Sequence, residues 1–226
     1  SPGNGLRLSG RSTDASAALF NSQSMSSAVN ASASDIHVDV NADGQLLDGV
    51  SQTVTGNSVG VYAGLNDATN ALSVDAANSV AANVGLAGAS SDATSFDGFT
   101  GAVADFAVTN LQDSTGTATA SLVDARAGIL MGDGALGTGG SLTVTGNQFD
   151  AQASGNNAGN SVALNGAGRV AATAAVDSQQ SNAGGISATV SGVDVSAGNR
   201  DTGNGDIIGN AVTLADNRVS GAASGN

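Results

Sequence analysis

The chain has 226 residues and a formal net charge of −13, so nucleic acid and anionic membrane surfaces would repel it, and cations suit it better. Gly 33, Ala 41, Ser 29 and Asn 21 together make 124 residues against 47 for Leu, Ile, Val and Phe, and neither Glu nor Lys occurs, which excludes a helical bundle, a coiled coil and a wide aromatic core. The absence of Cys removes disulfides, thiolate metal sites and cysteine nucleophiles.

Taken along the chain, short alternations of apolar and small polar residues predict strands at 36–40 (IHVDV), 52–55 (QTVT), 59–63 (VGVYA), 71–74 (ALSV), 141–144 (SLTV), 161–164 (SVAL), 186–190 (ISATV), 193–197 (VDVSA) and 211–214 (AVTL). Gly, Asn, Asp and Ser fill the intervals, as turns require. A single proline and the ordered placement of Val argue against disorder. No apolar run reaches the roughly 18 residues of a membrane-spanning helix, so no membrane insertion is expected. The opening SPGNGLRLSG lacks the basic and apolar regions of a signal peptide, which for a secreted protein implies a mature form.

The same elements return at fixed spacing. TVTGN occurs at 53–57 and 143–147, 90 positions apart, and VTLADN from Val212 matches LTVTGN from Leu142 at a spacing of 70. Residues 15–40 also match 172–197 without gaps, pairing Gln23 with Gln180. One repeat array over 1–226 is therefore expected: a partial repeat 1–50, a repeat 51–140, a repeat 141–210 and the start of another at 211–226.

Short strands with small inward residues predict an all-β β-solenoid, or β-helix, of about 20 residues per coil. The 20-residue difference between the 90- and 70-residue copies would then equal one coil. Such coils would share backbone hydrogen bonds at about 4.8 Å. A β-sandwich is the rival, and the shortage of aromatics to span its core weighs against it. Asn57, Asn147 and Asn217, and Asn70 with Asn160, are candidates for amide ladders, although coils this short would hold equivalents several coils apart. The alternative is that these Asn residues serve only as left-handed turn positions.

TVTGN, the A-x-x-x-N-x-A-x-N pattern after it and the segment DSQQSNAGGISATV resemble the β-strand-repeat surface proteins of alphaproteobacteria, of the holdfast-attachment type. More loosely, the Ser, Gln, Gly and Asn placement is similar to that of curlin-like fibre subunits. Either resemblance implies an extracellular structural or adhesive role without catalytic residues.

Catalysis has little to work with. His37, the one histidine, falls between Ile36 and Val38 on the outward side of its strand, away from any triad geometry. The scattered Asp residues read as turn formers and solubilising charge. The segment around Asp206 is a calcium candidate by likeness to the G-G-x-G-x-D nonapeptide and Asp133 adds another acidic turn, so calcium is the only cofactor the chain suggests. The T-x-T pairs at Thr53, Thr143 and Thr117 hint at the flat threonine arrays of ice-binding solenoids, although three isolated pairs do not make an array.

The expected function is a non-enzymatic fibre or surface-anchoring subunit, extracellular or on a bacterial surface. It would assemble head-to-tail with itself through exposed ends carrying Leu6 and Leu8 on one side and Val212, Thr213 and Leu214 on the other. A surface polysaccharide is a further possible partner, and a carbohydrate-binding or carbohydrate-active β-helix is the alternative from another class.

Overall fold

A computed structural model describes residues 3–42, 46–81, 89–90, 103–131, 136–199 and 206–226. These residues form strands in three successive passes. The first pass holds β1 (Gly3–Asp14), β2 (Ala17–Met25), β3 (Val29–Ser34), β4 (His37–Ala42), β5 (Leu46–Asp48), β6 (Ser51–Thr55) and β7 (Ser58–Gly64). The second holds β8 (Asp67–Ala81), β9 (Ala89–Ser90), β10 (Val103–Ala104), β11 (Phe106–Ser114), β12 (Ala118–Val123), β13 (Arg126–Met131), β14 (Leu136–Thr138), β15 (Ser141–Thr145) and β16 (Gln148–Ser154). The third holds β17 (Asn157–Gly166), β18 (Val170–Ala171), β19 (Ala174–Asn182), β20 (Ile186–Ser191), β21 (Asp194–Asn199), β22 (Asp206–Ile208), β23 (Ala211–Ala215) and β24 (Arg218–Ser224).

Each pass is one layer, and like strands of the three layers pair in parallel. The sheets are β1-β8-β17 with β18 beside β8, then β2-β11-β19, β3-β12-β20, β4-β13-β21, β5-β14-β22, β6-β15-β23 and β7-β16-β24. The chain is thus all-β, with parallel strands in stacked sheets, a solenoid-like arrangement.

A turn of this stack is far longer than the expected 20 or so residues. Asn4 meets Asn70 at a separation of 66, Gln112 meets Gln180 at 68, and Asn147 meets Asn217 at 70. Between the first and second layers the separation from β2 onward is 89 or 90. Consecutive strand–turn units do not stack on one another. They face each other across a flattened interior: the β3 sheet against the β7 sheet, the β4 sheet against the β6 sheet, and the β2 sheet against the β1 sheet. Alternation with period two dictates which side chains point inward, but it is the same whether the inward side meets a neighbouring coil or the opposite wall.

The surplus of the second layer falls between β8 and β11. β1 and β2 are separated by two residues, whereas the chain runs from Ala81 to Phe106 between β8 and β11. Within that stretch β9 and β10 pair antiparallel and lie against the β2-β11-β19 sheet. β11 itself is buried on both faces.

Two apolar clusters fill the interior. One joins Leu122, Ile129, Leu142, Val144 and Phe149 across the long walls, and the other joins Leu72, Val74, Val80, Phe106 and Val108 between the β1 and β2 sheets. Corners repeat layer by layer, with positive φ at Asp35, Asp124 and Gly192, and again at Gly56, Gly146 and Asp216. At another corner Gly184 sits so close to Gly116 that an added Cβ would fall inside contact distance of the Gly116 carbonyl oxygen. Gly184→Ala should therefore force adjacent layers apart and cost about 1–3 kcal/mol, read as a lower urea midpoint.

Candidate functional site

Between the two apolar clusters lies a polar seam. β2 and β11 carry Asn-x-Gln at Asn21 and Gln23 and at Asn110 and Gln112, and β1, β8 and β17 carry Asn4, Asn70 and Asn160 on the wall opposite. All of these amides point inward, and Asn70 and Asn110 are fully buried. Buried amides are tolerated only when bonded, and here they bond in two directions. Up the stack, Asn4 Nδ2 donates to Asn70 Oδ1 at 3.0 Å and Asn70 Nδ2 to Asn160 Oδ1 at 2.7 Å. Across the interior, Asn4 donates to Asn21 Oδ1 and Asn70 to Asn110 Oδ1, each at 3.0 Å. Asn21 Nδ2 in turn donates to Asn110 Oδ1 at 2.6 Å.

A glutamine column runs beside it. Gln180 Nε2 donates to Gln112 Oε1 at 2.7 Å, and Gln112 Nε2 to Gln23 Oε1 at 2.8 Å. Spare amide hydrogens reach the backbone carbonyls of Asn157 and Asp67.

The third column stands at the corner after the β6 sheet. Asn57 Nδ2 donates to Asn147 Oδ1 and Asn147 Nδ2 to Asn217 Oδ1, both at 2.8 Å. In each layer the left-handed turn residue is the one before the Asn, namely Gly56, Gly146 or Asp216. The asparagines are thus bonded into a column, and the turn conformation is carried by their neighbours. The expectation that equivalent asparagines lie several coils apart fails for the same reason as the coil length: residues 66, 70 or 90 apart are in adjacent layers.

Asn66 and Asn156 form a further step, at 2.8 Å, and like Asn4, Asn21, Asn110 and Gln112 they are not among the expected ladder residues. The signal for them was available: N-x-Q recurs 89 positions apart at 21 and 110, and Gln23 and Gln180 had already aligned.

Of the other expected site residues, Asp133 lies outside the described residues and Asp206 opens β22. Among the described residues no group of three or more His, Cys, Asp or Glu side chains is placed to hold a metal ion. Leu6 and Leu8 sit half-buried on β1, against the Leu72 and Val74 cluster, while Val212, Thr213 and Leu214 lie on β23 in a different sheet. In unbroken register these two sets would not meet each other: Val212 and Leu214 share columns with Gln52 and Val54, and Leu6 and Leu8 with Val162 and Leu164. His37 is exposed on the outer face of β4, in a column with Arg126 and Asp194. Arg126 lies 3.5 Å from both Asp39 and Asp194, an ion-paired rung linking all three layers.

Outer-face carboxylates also bridge layers. Asp75 accepts from Asn165 Nδ2 at 2.9 Å and from Arg7 Nε at 3.0 Å, and chiefly the Asn165 bond, helped by Ser73 and Arg7, holds its carboxyl below the ordinary value. Asp105 is lowered by the backbone N–H and hydroxyl of Thr173. A depressed carboxyl contributes stability above its unfolded pKa, and that contribution disappears as pH falls through the lower folded value. In an NMR titration Asp75 should therefore have a midpoint below the usual carboxylate range, and Asn165→Ala should move it upward.

Comparison with protein-family models, curated protein sequences and solved structures returned no match to this chain.

Proposed function

We propose that the chain is a non-enzymatic structural element of an extracellular fibre or bacterial surface layer, built by stacking copies of this cross-section end to end. The observation that carries this reading is the contrast between layers. Val144 and Phe149 in the middle layer are 0% exposed, whereas Leu214 and Val219, which continue the same inward columns in the third layer, are 48% and 50% exposed. The cause is geometric. β16 packs equally against β12 and β20 on the opposite wall, while the main partner of β24 there is β20. A further layer would bury these side chains and pair the open strand edges, whose N–H and C=O groups are otherwise a template for another chain.

Electron microscopy and sedimentation across a concentration series test this. Filaments with a continuous cross-β spacing of about 4.8 Å along the axis are expected. Because each copy carries a net charge of −13, they should form faster as salt screens the repulsion. A chain that remains monomeric at high concentration and high salt overturns the proposal.

A second reading has one observation in its favour. Thr53, Thr143 and Thr213 stack on the outer face of the β6 sheet, and Thr55 shares a hydrogen bond with Thr145 at 3.1 Å, so the T-x-T pairs of the first two layers lie side by side. An ice-binding role predicts thermal hysteresis that is lost in Thr143→Tyr; no hysteresis in the wild-type chain removes it.

A further inference from the structure

We infer that copies join in one direction only, with the third layer of one seated on the first layer of the next in unbroken sheet register, because the amide columns end in opposite poles at the two faces. The inference rests on the stacking reading above and adds the orientation and register of the joint.

The poles follow from the direction of donation. In the Asn57–Asn147–Asn217 column both bonds between side chains run from the first layer towards the third. The remaining amide hydrogen of Asn147 goes to the Val54 carbonyl and that of Asn217 to the Val144 carbonyl, each one layer back. The column therefore presents the Asn57 Oδ1 acceptor at the first-layer face and an N–H of Asn217 at the third. The Asn4–Asn70–Asn160 column has the same sense. The glutamine column runs oppositely, so Gln23 presents its amide nitrogen at the first-layer face and Gln180 presents Oε1 at the third. Placed head to tail, Asn217 meets Asn57, Asn160 meets Asn4 and Gln23 meets Gln180, each as donor to acceptor. Placed face to like face, the strands run antiparallel, so neither the parallel pairing nor any amide column is continued by its own kind.

Apolar and charged columns agree with this register. Val162 falls on Leu6, Leu164 on Leu8, Val190 on Ala33 and Leu214 on Val54, in each case two residues already paired with the same middle-layer residue. Asp194, which inside the chain approaches Arg126, falls on His37, and Ser196 falls on Asp39.

The test blocks one face at a time. Val29 and Asp35 donate their backbone N–H groups to the second layer, so alternation turns that of Ser32 to the open edge, and Leu65 places that of Gly60 there likewise. On the other face Ala211 and Arg218 donate inward to the second layer, leaving the N–H groups of Leu214 and Val219 at the open edge. Proline at these positions removes edge donors without breaking an internal bond. The double variants S32P/G60P and L214P/V219P should each stay monomeric in sedimentation, and an equimolar mixture should give a one-to-one dimer and nothing longer. A homodimer of either variant, or no dimer from the mixture while the wild-type chain polymerises, overturns the polar joint. A wild-type chain that does not polymerise overturns the stacking reading itself. Circular dichroism checks that each variant is folded, and L214K/V219K, at half-exposed positions, replaces the second proline pair if it is not.

Discussion

Val144→Asp is expected to lower stability by about 4 kcal/mol or more, enough to unfold much of the population of a marginally stable domain. Val144 is fully buried in the middle layer and packs in the cluster that holds Ala127, Ile129, Leu142 and Phe149. It has Val54 on one side and Leu214 on the other along its column, so a carboxylate there has neither a hydrogen-bond donor nor a path to water. The same change at Val54, in the first layer, should cost less, and at half-exposed Leu214 least of all. The penalty is pH-dependent with a defined sign. Burial raises the folded pKa of the introduced carboxyl above its unfolded value of about 3.9, so the ionisation part is absent below that value and grows as pH rises towards the folded one. Urea unfolding of the three variants at neutral and acidic pH measures the ordering. Wild-type stability in Val144→Asp would show that this side of β15 does not face the interior.

Asn110→Leu is expected to cost about 2–6 kcal/mol, from two buried donors left unpaired at about 1–3 kcal/mol each. Asn110 Oδ1 accepts from both Asn21 and Asn70, and its Nδ2 reaches Ser178 Oγ at 3.4 Å, so it is the junction between the vertical and transverse bonds of the seam. Leucine fills the space but offers no acceptor. Replacing Asn70 as well removes one stranded donor, so the double variant should be less destabilised than the sum of the two single ones, a coupling that a double-mutant cycle reads directly. Additive losses would mean that the two amides do not share a bond.

The lag of 90 between the two TVTGN segments and the lag of 70 to VTLADN are separations at which strands pair in the structure, and the gapless match of 15–40 with 172–197 relates first-layer strands to third-layer ones that pair with the same middle strands. Repetition was legible because stacked layers need like residues at like places, and strands because a half-buried strand alternates. Two of the three amide columns could be named for the same reason, since an inward Asn recurring at the layer spacing has its own kind above and below it.

Other features were not legible. The alternation of Val59, Val61 and Ala63 shows which side of β7 is inward, but nothing local says that this side meets Ala31 and Ala33 of the opposite wall rather than a neighbouring coil. Coil length is a matter of which surfaces meet, and both closures satisfy the same period-two pattern. The transverse bonds between the β1 and β2 sheets, and the burial of β11 on its outer face, likewise depend on segments distant in sequence. What the amino-acid sequence by itself determined is the strands, their inward faces and the spacing at which like residues recur, because these follow from side-chain chemistry one position at a time. What only the tertiary structure decided is the long flattened turn, the two-way amide seam and the opposite poles of the two faces, because each is a relation between walls that the chain brings together only when it closes.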